Sequence, residues 1–392
     1  MLNEFLPLLF LLLPVAALSG WILGRRRSER TSGARVSELS SNYFRGLNYL
    51  LNEQQDKAIE LFLKLAEINR DTVETHLALG NLFRRRGEVD RAIRVHQNLI
   101  ARPNLSDEEK TIALLELGED YMRAGLLDRA EVLFADLVAM EALAPSALRH
   151  LIAIYQHERD WDKAIEHARR LERLTGESKA MMISQFHCEL AEQARAQGDR
   201  DAARAHIGDA FLVNSDCVRA SMILGHLESS EGNHAAAIEA FERVAQLDLD
   251  YLPEFLPPLL DCYARTQQMQ RAEQFLLRTI ERHRGVTPVL ALARLYATTR
   301  GEDKAVEFLN ESLRQRPSVR ALMALIDMNL RNVSDEARGN YLILRDLTQQ
   351  LVEGKALYRC NRCGFGAKAH HWQCPSCKSW GTVRPIHGAA GE

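Results

Sequence analysis

The stretch LGEDYMRAGLLDRAEVLF, residues 117–134, decides how most of this chain folds. Its apolar spacing predicts a first helix carrying Gly118 and Tyr121, a turn at Gly125, and a second helix carrying Ala130 and Phe134. The pattern recurs on both sides. Gly46, Tyr49, Ala58 and Phe62 come before it, then Gly80, Phe83, Gly87 and Ala92. Tyr155, Trp161 and Ala164 follow more loosely, then Ala191, Gly198 and Ala203, then Gly225, Gly232, Ala237 and Phe241. Tyr263 with Ala272 and Tyr296 with Ala305 continue it, and a degenerate helical segment runs from about Ser318 to Gly354.

A unit of about 34 residues built this way resembles the tetratricopeptide repeat. Small residues let the two helices of a unit approach, and the aromatics fill the space between successive pairs. One pair cannot bury its apolar face alone, so stacked units share a continuous core. The expected fold is all-α: a tetratricopeptide-repeat superhelix of about eight to nine units over residues 39–354. Extra residues at NLSDEEK, TGESKAMM and HRGV fall between units, where solenoids accept insertions. Cys188, Cys217 and Cys262 stand singly in helical stretches and read as small buried hydrophobes.

Composition agrees with packed helices and sets limits. Lys and Arg number 50 against 53 Asp and Glu, for a net charge of −3, so no overall basic bias points to nucleic acid. Scattered single cysteines suit a reducing compartment. No Ser/His/Asp set, phosphate-binding loop or pair of carboxylates appears at useful spacing, so the chain reads as a non-enzyme.

If each unit's first helix lines a groove, the register places Arg84, Arg85, Arg123, Arg149, Arg195 and Arg219 there, with His157 and His226 nearby. Glu74, Glu119 and Glu192 oppose them. Such a face would take an acidic or C-terminal peptide through bidentate guanidinium–carboxylate pairs; an ordinary solvated arginine face is the competing reading.

The first 24 residues differ from the rest. From Phe5 to Gly24 there is no charged residue, and twenty helical residues at about 1.5 Å each just cross a hydrocarbon core of roughly 30 Å. Arg25, Arg26 and Arg27 follow the apolar run, which by the positive-inside rule leaves the later chain cytoplasmic. A cleaved signal peptide would begin with a basic segment, and this one begins Met-Leu-Asn-Glu. Residues 1–24 are therefore expected to be a transmembrane anchor with a periplasmic N-terminus, and 25–38 a charged juxtamembrane linker.

At the other end, YRCNRCGFGAKAHHWQCPSCKSWG holds two Cys-x-x-Cys knuckles, Cys360/Cys363 and Cys374/Cys377, with ten residues between them. Two residues between thiolates let both sulfurs reach one ion while backbone amides point at them, and two such knuckles complete a tetrahedron. Residues 355–387 are expected to be a four-cysteine metal-binding module. It resembles the rubredoxin knuckle pair, with a shorter intervening loop and Lys378 where a glycine is usual. A closed four-thiolate sphere suits structural zinc ahead of iron. His370 and His371 are read as exposed loop residues, and Trp372 and Trp380 as the contacts that hold the module to the last helices. Arg359, Arg362, Lys368, Lys378 and Arg384 also allow a nucleic-acid zinc ribbon, a reading disfavoured by the short loop and the membrane tether.

An apolar anchor with Arg25–Arg27, a tetratricopeptide array and a rubredoxin-like end resemble, in that order, the lipopolysaccharide assembly protein B family of Gram-negative bacteria. That resemblance implies an inner-membrane adaptor for a membrane-bound ATP-dependent metalloprotease. It implies that the client is the deacetylase committing precursor to lipid A, and that the transmembrane segment meets an inner-membrane sensor. A general scaffold for lipopolysaccharide synthesis and transport proteins would use the same architecture. No nucleic-acid partner is expected, and a homo-oligomer stays open.

Overall fold

The computed structural model describes residues 44–46, 48, 49, 52, 54–68, 72–332, 334–389, 391 and 392. The expected anchor, linker and Arg25, Arg26 and Arg27 lie outside the described residues, and among the described residues no helix is long and apolar enough to cross a membrane. The chain forms two compact units, one ending at Asp160 and one running from Trp161 to Glu392.

The first unit contains α1 (Gln55–Ile68), α2 (Val73–Arg85), α3 (Val89–Ile100), α4 (Asp107–Ala124), α5 (Leu127–Ala139) and α6 (Ala144–Glu158), each packed on the next. The inserted NLSDEEK opens α4 with a capping box. The Ser106 hydroxyl accepts from the Glu109 amide at 3.3 Å, and the Ser106 amide donates to the Glu109 carboxylate at 2.9 Å. Such a cap is worth about 1 kcal/mol. Gly125 ends α4 in the left-handed region, at φ 76°, where a side chain would be strained.

The helices of a unit meet where the sequence places its small residues. A Cβ added at Gly118 would lie 2.6 Å from the Phe134 ring, and one at Gly46 would lie 2.7 Å from Phe62. Ala58, Ala92 and Ala130, on the second helices, are fully buried. The pair formed by α2 and α3 departs from the rule: an imidazole, His96, stands against Gly80 where the neighbouring units carry phenylalanine.

That imidazole anchors a buried polar network. His96 Nδ1 lies 2.5 Å from Asp120 Oδ2, and both residues are fully buried. The other Asp120 oxygen accepts from Arg84 at 2.7 Å, and Arg84 also donates to the carboxylates of Glu116 and Glu119 at 2.6 and 2.8 Å. Glu119 pairs in turn with His150 at 3.1 Å. Removing one partner from such a network costs about 3–5 kcal/mol, because a buried charge is left alone.

The second unit continues with α7 (Trp161–Thr175), α8 (Ala180–Gln197), α9 (Arg200–Val213), α10 (Val218–Ser230) and α11 (His234–Leu247). A 3₁₀ turn, Leu249–Tyr251, leads to α12 (Leu252–Arg265), α13 (Met269–Arg282), α14 (Thr287–Thr299), α15 (Glu302–Gln315), α16 (Val319–Asn332) and α17 (Asp335–Val352). Here too a Cβ at Gly225 would fall 2.6 Å from the Phe241 ring. Cys188, Cys217 and Cys262 are buried, as small apolar residues would be, and the Cys188 and Cys217 sulfurs lie 3.8 Å apart.

Three short strands follow: β1 (Tyr358–Cys360), β2 (Gly366–Ala367) and β3 (Val383–Pro385). β1 runs antiparallel to both neighbours, pairing Tyr358 with Ala367 on one side and Cys360 with Val383 on the other. This sheet carries the cysteine knuckles.

Candidate metal centre

The two knuckles are built alike. In the first, the Gly364 amide donates to the Cys360 carbonyl at 2.9 Å and the Cys360 amide to the Phe365 carbonyl at 2.8 Å. In the second, the Lys378 amide donates to the Cys374 carbonyl and the Cys374 amide to the Ser379 carbonyl, both at 2.9 Å. The residue after each second cysteine must adopt positive φ. Gly364 does so at 78° without strain, and Lys378 does so at 56° with a side chain, which is the physical meaning of the missing glycine.

These turns gather four sulfurs within 4.8 Å of one another. Cys360 and Cys377 stand 3.7 Å apart, and Cys363 and Cys374 stand 3.6 Å apart. Four sulfurs at about 2.3 Å from a central ion are separated by about 3.8 Å, so the donor set fits one tetrahedral metal. The Thr382 hydroxyl, 3.2 Å away, is the largest influence on the Cys360 thiol; with the Cys363 and Arg362 amides it brings that thiol down to about 6. Bonds from Ser379 lower Cys377, whereas burial pushes Cys374 up to about 11. A coordinated cation would supply the charge that holds every one of them as thiolate.

The two tryptophans of the module turn away from α17, although the end of the chain also bonds later helices, the Val319 amide on α16 donating to the Ala389 carbonyl at 2.7 Å and Arg320 pairing with Glu392 at 2.9 Å. Trp380 reaches past the chain-adjacent α17 to meet Trp161 on α7 and Phe186 on α8, with ring centroids at 6.3 and 6.1 Å. Trp372 stacks on Tyr251 at 5.0 Å. Polar bonds fix the same orientation: Arg384 to Asp248 at 2.5 Å, Tyr358 to Glu254, and His387 to Asp250 at 3.2 Å. The reason is chemical fit. The turn after α11 offers an aromatic face and two carboxylates, while α17 presents exposed Ile343, Leu344, Leu347 and Leu351.

His370 is likewise not an exposed loop residue. Its ring sits among Trp372, Tyr251 and Tyr358, at 4.7, 5.3 and 5.9 Å. Burial, then the nearby Arg384, His371 and Arg219, lowers its imidazolium to about 4.

The six arginines expected on a groove divide into two kinds. Arg85, Arg123, Arg149 and Arg195 are exposed, with Arg195 bonded to Glu192 at 2.7 Å. Arg84 and Arg219 are not available to a partner. Arg84 is consumed by the Glu116, Glu119 and Asp120 carboxylates. Arg219, only 5% exposed, pairs with Glu189 at 2.9 Å and lies 5.5 and 5.8 Å from the rings of Trp372 and Trp380. Helix register assigns a side chain to a face, but it does not reveal what covers that face. Arg219 is covered by residues more than 150 positions later in the chain.

A family model described as a rubredoxin metal binding domain matches residues 358–385. Tetratricopeptide-repeat models match residues 75–109, 115–178 and 188–250. The chain is 39% identical over 387 residues to lipopolysaccharide assembly protein B of Escherichia coli (strain K12), covering 98% of this chain and 100% of that one. It is 34% identical over 390 residues to the protein of the same name from Haemophilus influenzae (strain ATCC 51907 / DSM 11121 / KW20 / Rd), covering 97% and 98%. Identity at this level over nearly the whole length of both chains places this chain in the lipopolysaccharide assembly protein B family.

Proposed function

We propose that this protein is an inner-membrane adaptor. It restrains lipopolysaccharide synthesis by presenting the lipid A pathway deacetylase to a membrane-bound ATP-dependent metalloprotease. The observation that carries this reading is the end-to-end likeness to proteins named lipopolysaccharide assembly protein B. A body of tetratricopeptide repeats supports it, because stacked helix pairs build extended binding surfaces in place of reaction centres. The protein is accordingly read as a non-enzyme.

In this reading residues 1–24 span the membrane once, with the N-terminus periplasmic and Arg25, Arg26 and Arg27 on the cytoplasmic side. Residues 25–38 are the linker, and the span also meets an inner-membrane sensor. Confinement to the plane where the protease sits raises the effective concentration of a bound client without any new contact. The exposed guanidinium groups of Arg85, Arg123, Arg149 and Arg195 would take client carboxylates.

The metal is read as zinc ahead of iron. Four protein thiolates leave no open coordination position, so its work is structural. Cys360, Cys363, Cys374 and Cys377 would hold it, and Trp372, Trp380 and Arg384 key the closed module to the repeats.

Crosslinking in native membranes followed by mass spectrometry tests the reading. Recovery of both a membrane protease and the deacetylase supports it. Recovery of lipopolysaccharide synthesis and transport proteins with no protease would replace it with a general scaffold, the role suggested by the word "assembly" in the relatives' name.

A further inference from the structure

A second group of metal-ligating side chains lies apart from the thiolates. His187 on α8 and His206 and Asp209 on α9 bring their ligand atoms within 4.8 Å of one another. His206 and Asp209 are three apart and so share one face of α9, while His187 enters from the neighbouring helix. The Nδ1 atoms of His187 and His206 stand 3.9 and 4.0 Å from the same Asp209 oxygen, Oδ2. Those separations are too long for hydrogen bonds.

Three buried nitrogens of these histidines are left without hydrogen bonds among the described residues. His187 is 6% exposed, and among the described residues neither of its ring nitrogens has a hydrogen-bond partner. Nδ1 of His206 is buried and unpartnered as well. Buried polar atoms in folded proteins are almost always bonded, and an exception calls for an ion or a water. Here the unpartnered nitrogens converge on a carboxylate. Donors at about 2.0–2.2 Å from one ion are separated by roughly 3–4 Å, so the observed spacing leaves room for an ion among the three.

We propose that His187, His206 and Asp209 form a second metal site, taking a divalent transition metal of the zinc class. Two imidazoles and one carboxylate are the donor set such ions prefer over magnesium or calcium, which favour oxygen alone. Burial lowers the His187 imidazolium, which favours the neutral form that ligates; Arg169 on α7 and His206 act in the same direction, and Asp209 and Asp162 oppose it. Asp209 is half exposed and His206 partly so, which leaves the outer side of the ion open to water. The site is thus open where the four-thiolate site is closed, and it would clamp α8 to α9.

The test uses the full chain in detergent, stripped of metal and titrated with Co²⁺, with Zn²⁺ stoichiometry measured by mass spectrometry after dialysis. The expected result is two equivalents. One shows intense thiolate-to-cobalt charge transfer, and the other shows only weak ligand-field bands. His206→Gln with Asp209→Asn should weaken the second equivalent about tenfold or more and leave the charge-transfer band unchanged. Both positions are solvent-accessible, so the helices should survive, as circular dichroism would show. His187→Asn removes a ligand independently should they not. A single equivalent in the unaltered chain, or a second retained unchanged in these variants, overturns the proposal.

Discussion

Replacing Trp380 with alanine removes the ring through which the metal module meets the repeats. Trp380 is 9% exposed and touches Trp161, Phe186 and the Arg219 guanidinium. Truncating a buried aromatic of this size costs about 3–5 kcal/mol, of which each edge-to-face pair contributes about 0.5–1.5 kcal/mol. None of the backbone bonds that shape the two knuckles involves its side chain, so the loss should fall on docking and not on metal binding. At about 1.4 kcal/mol per factor of ten, the docked population falls relative to the undocked by at least on the order of a hundredfold. Hydrogen exchange followed by mass spectrometry reads this directly. Peptides spanning β1 to β3, and the α8 segment around Phe186, should exchange faster in Trp380→Ala, while α2 to α5 keep their protection. Unchanged exchange in the module would rule out this role for the ring. So would loss of the metal on substitution, because the tryptophan would then be supporting the knuckles themselves.

Three further outcomes follow from the same geometry. Chelating the metal should melt β1 to β3 and change the tryptophan signals in near-ultraviolet circular dichroism, with the helical far-ultraviolet signal kept, because so small a sheet has little core of its own. Gly225→Ala should lower stability by about 1–3 kcal/mol in thermal melts, since its Cβ would strike Phe241, whereas Gly208→Ala, in α9 with open space around it, should raise stability by up to about 1 kcal/mol. His370 is neutral in its aromatic setting down to about 4, and its ordinary value is near 6.5, so the undocked module binds the extra proton between those limits. Docking, read by exchange of the β1–β3 peptides, should therefore be at full strength above about pH 6.5 and weaken as pH falls toward 4; His370→Phe should flatten that dependence.

Much of this molecule is legible as sequence because its local physics repeats. The Gly118–Phe134 and Gly225–Phe241 contacts follow from a spacing that recurs along the chain, and each recurrence reports the same close approach of two helices. The thiolates are legible because Cys-x-x-Cys brings two sulfurs together within one turn of backbone. What is hidden depends on distant partners. Gly80 announces a close contact, but its occupant is His96, whose burial makes sense only once Asp120 and Arg84 are seen to bond around it. Trp372 and Trp380 follow α17 in the chain yet turn to α7, α8 and Tyr251, because the aromatic and acidic surfaces that suit them are there. His187 and His206 lie in repeats that read as ordinary helices, and only burial without hydrogen bonds sets them apart.

We have proposed that this protein delivers a client to a protease. The half-life of the lipid A pathway deacetylase, measured after protein synthesis is blocked, tests it most directly. The deacetylase should be short-lived in cells holding the intact chain. It should be long-lived in cells lacking the chain, and in cells holding Cys360→Ser with Cys363→Ser at equal abundance. The same half-life with and without the chain would rule out that role.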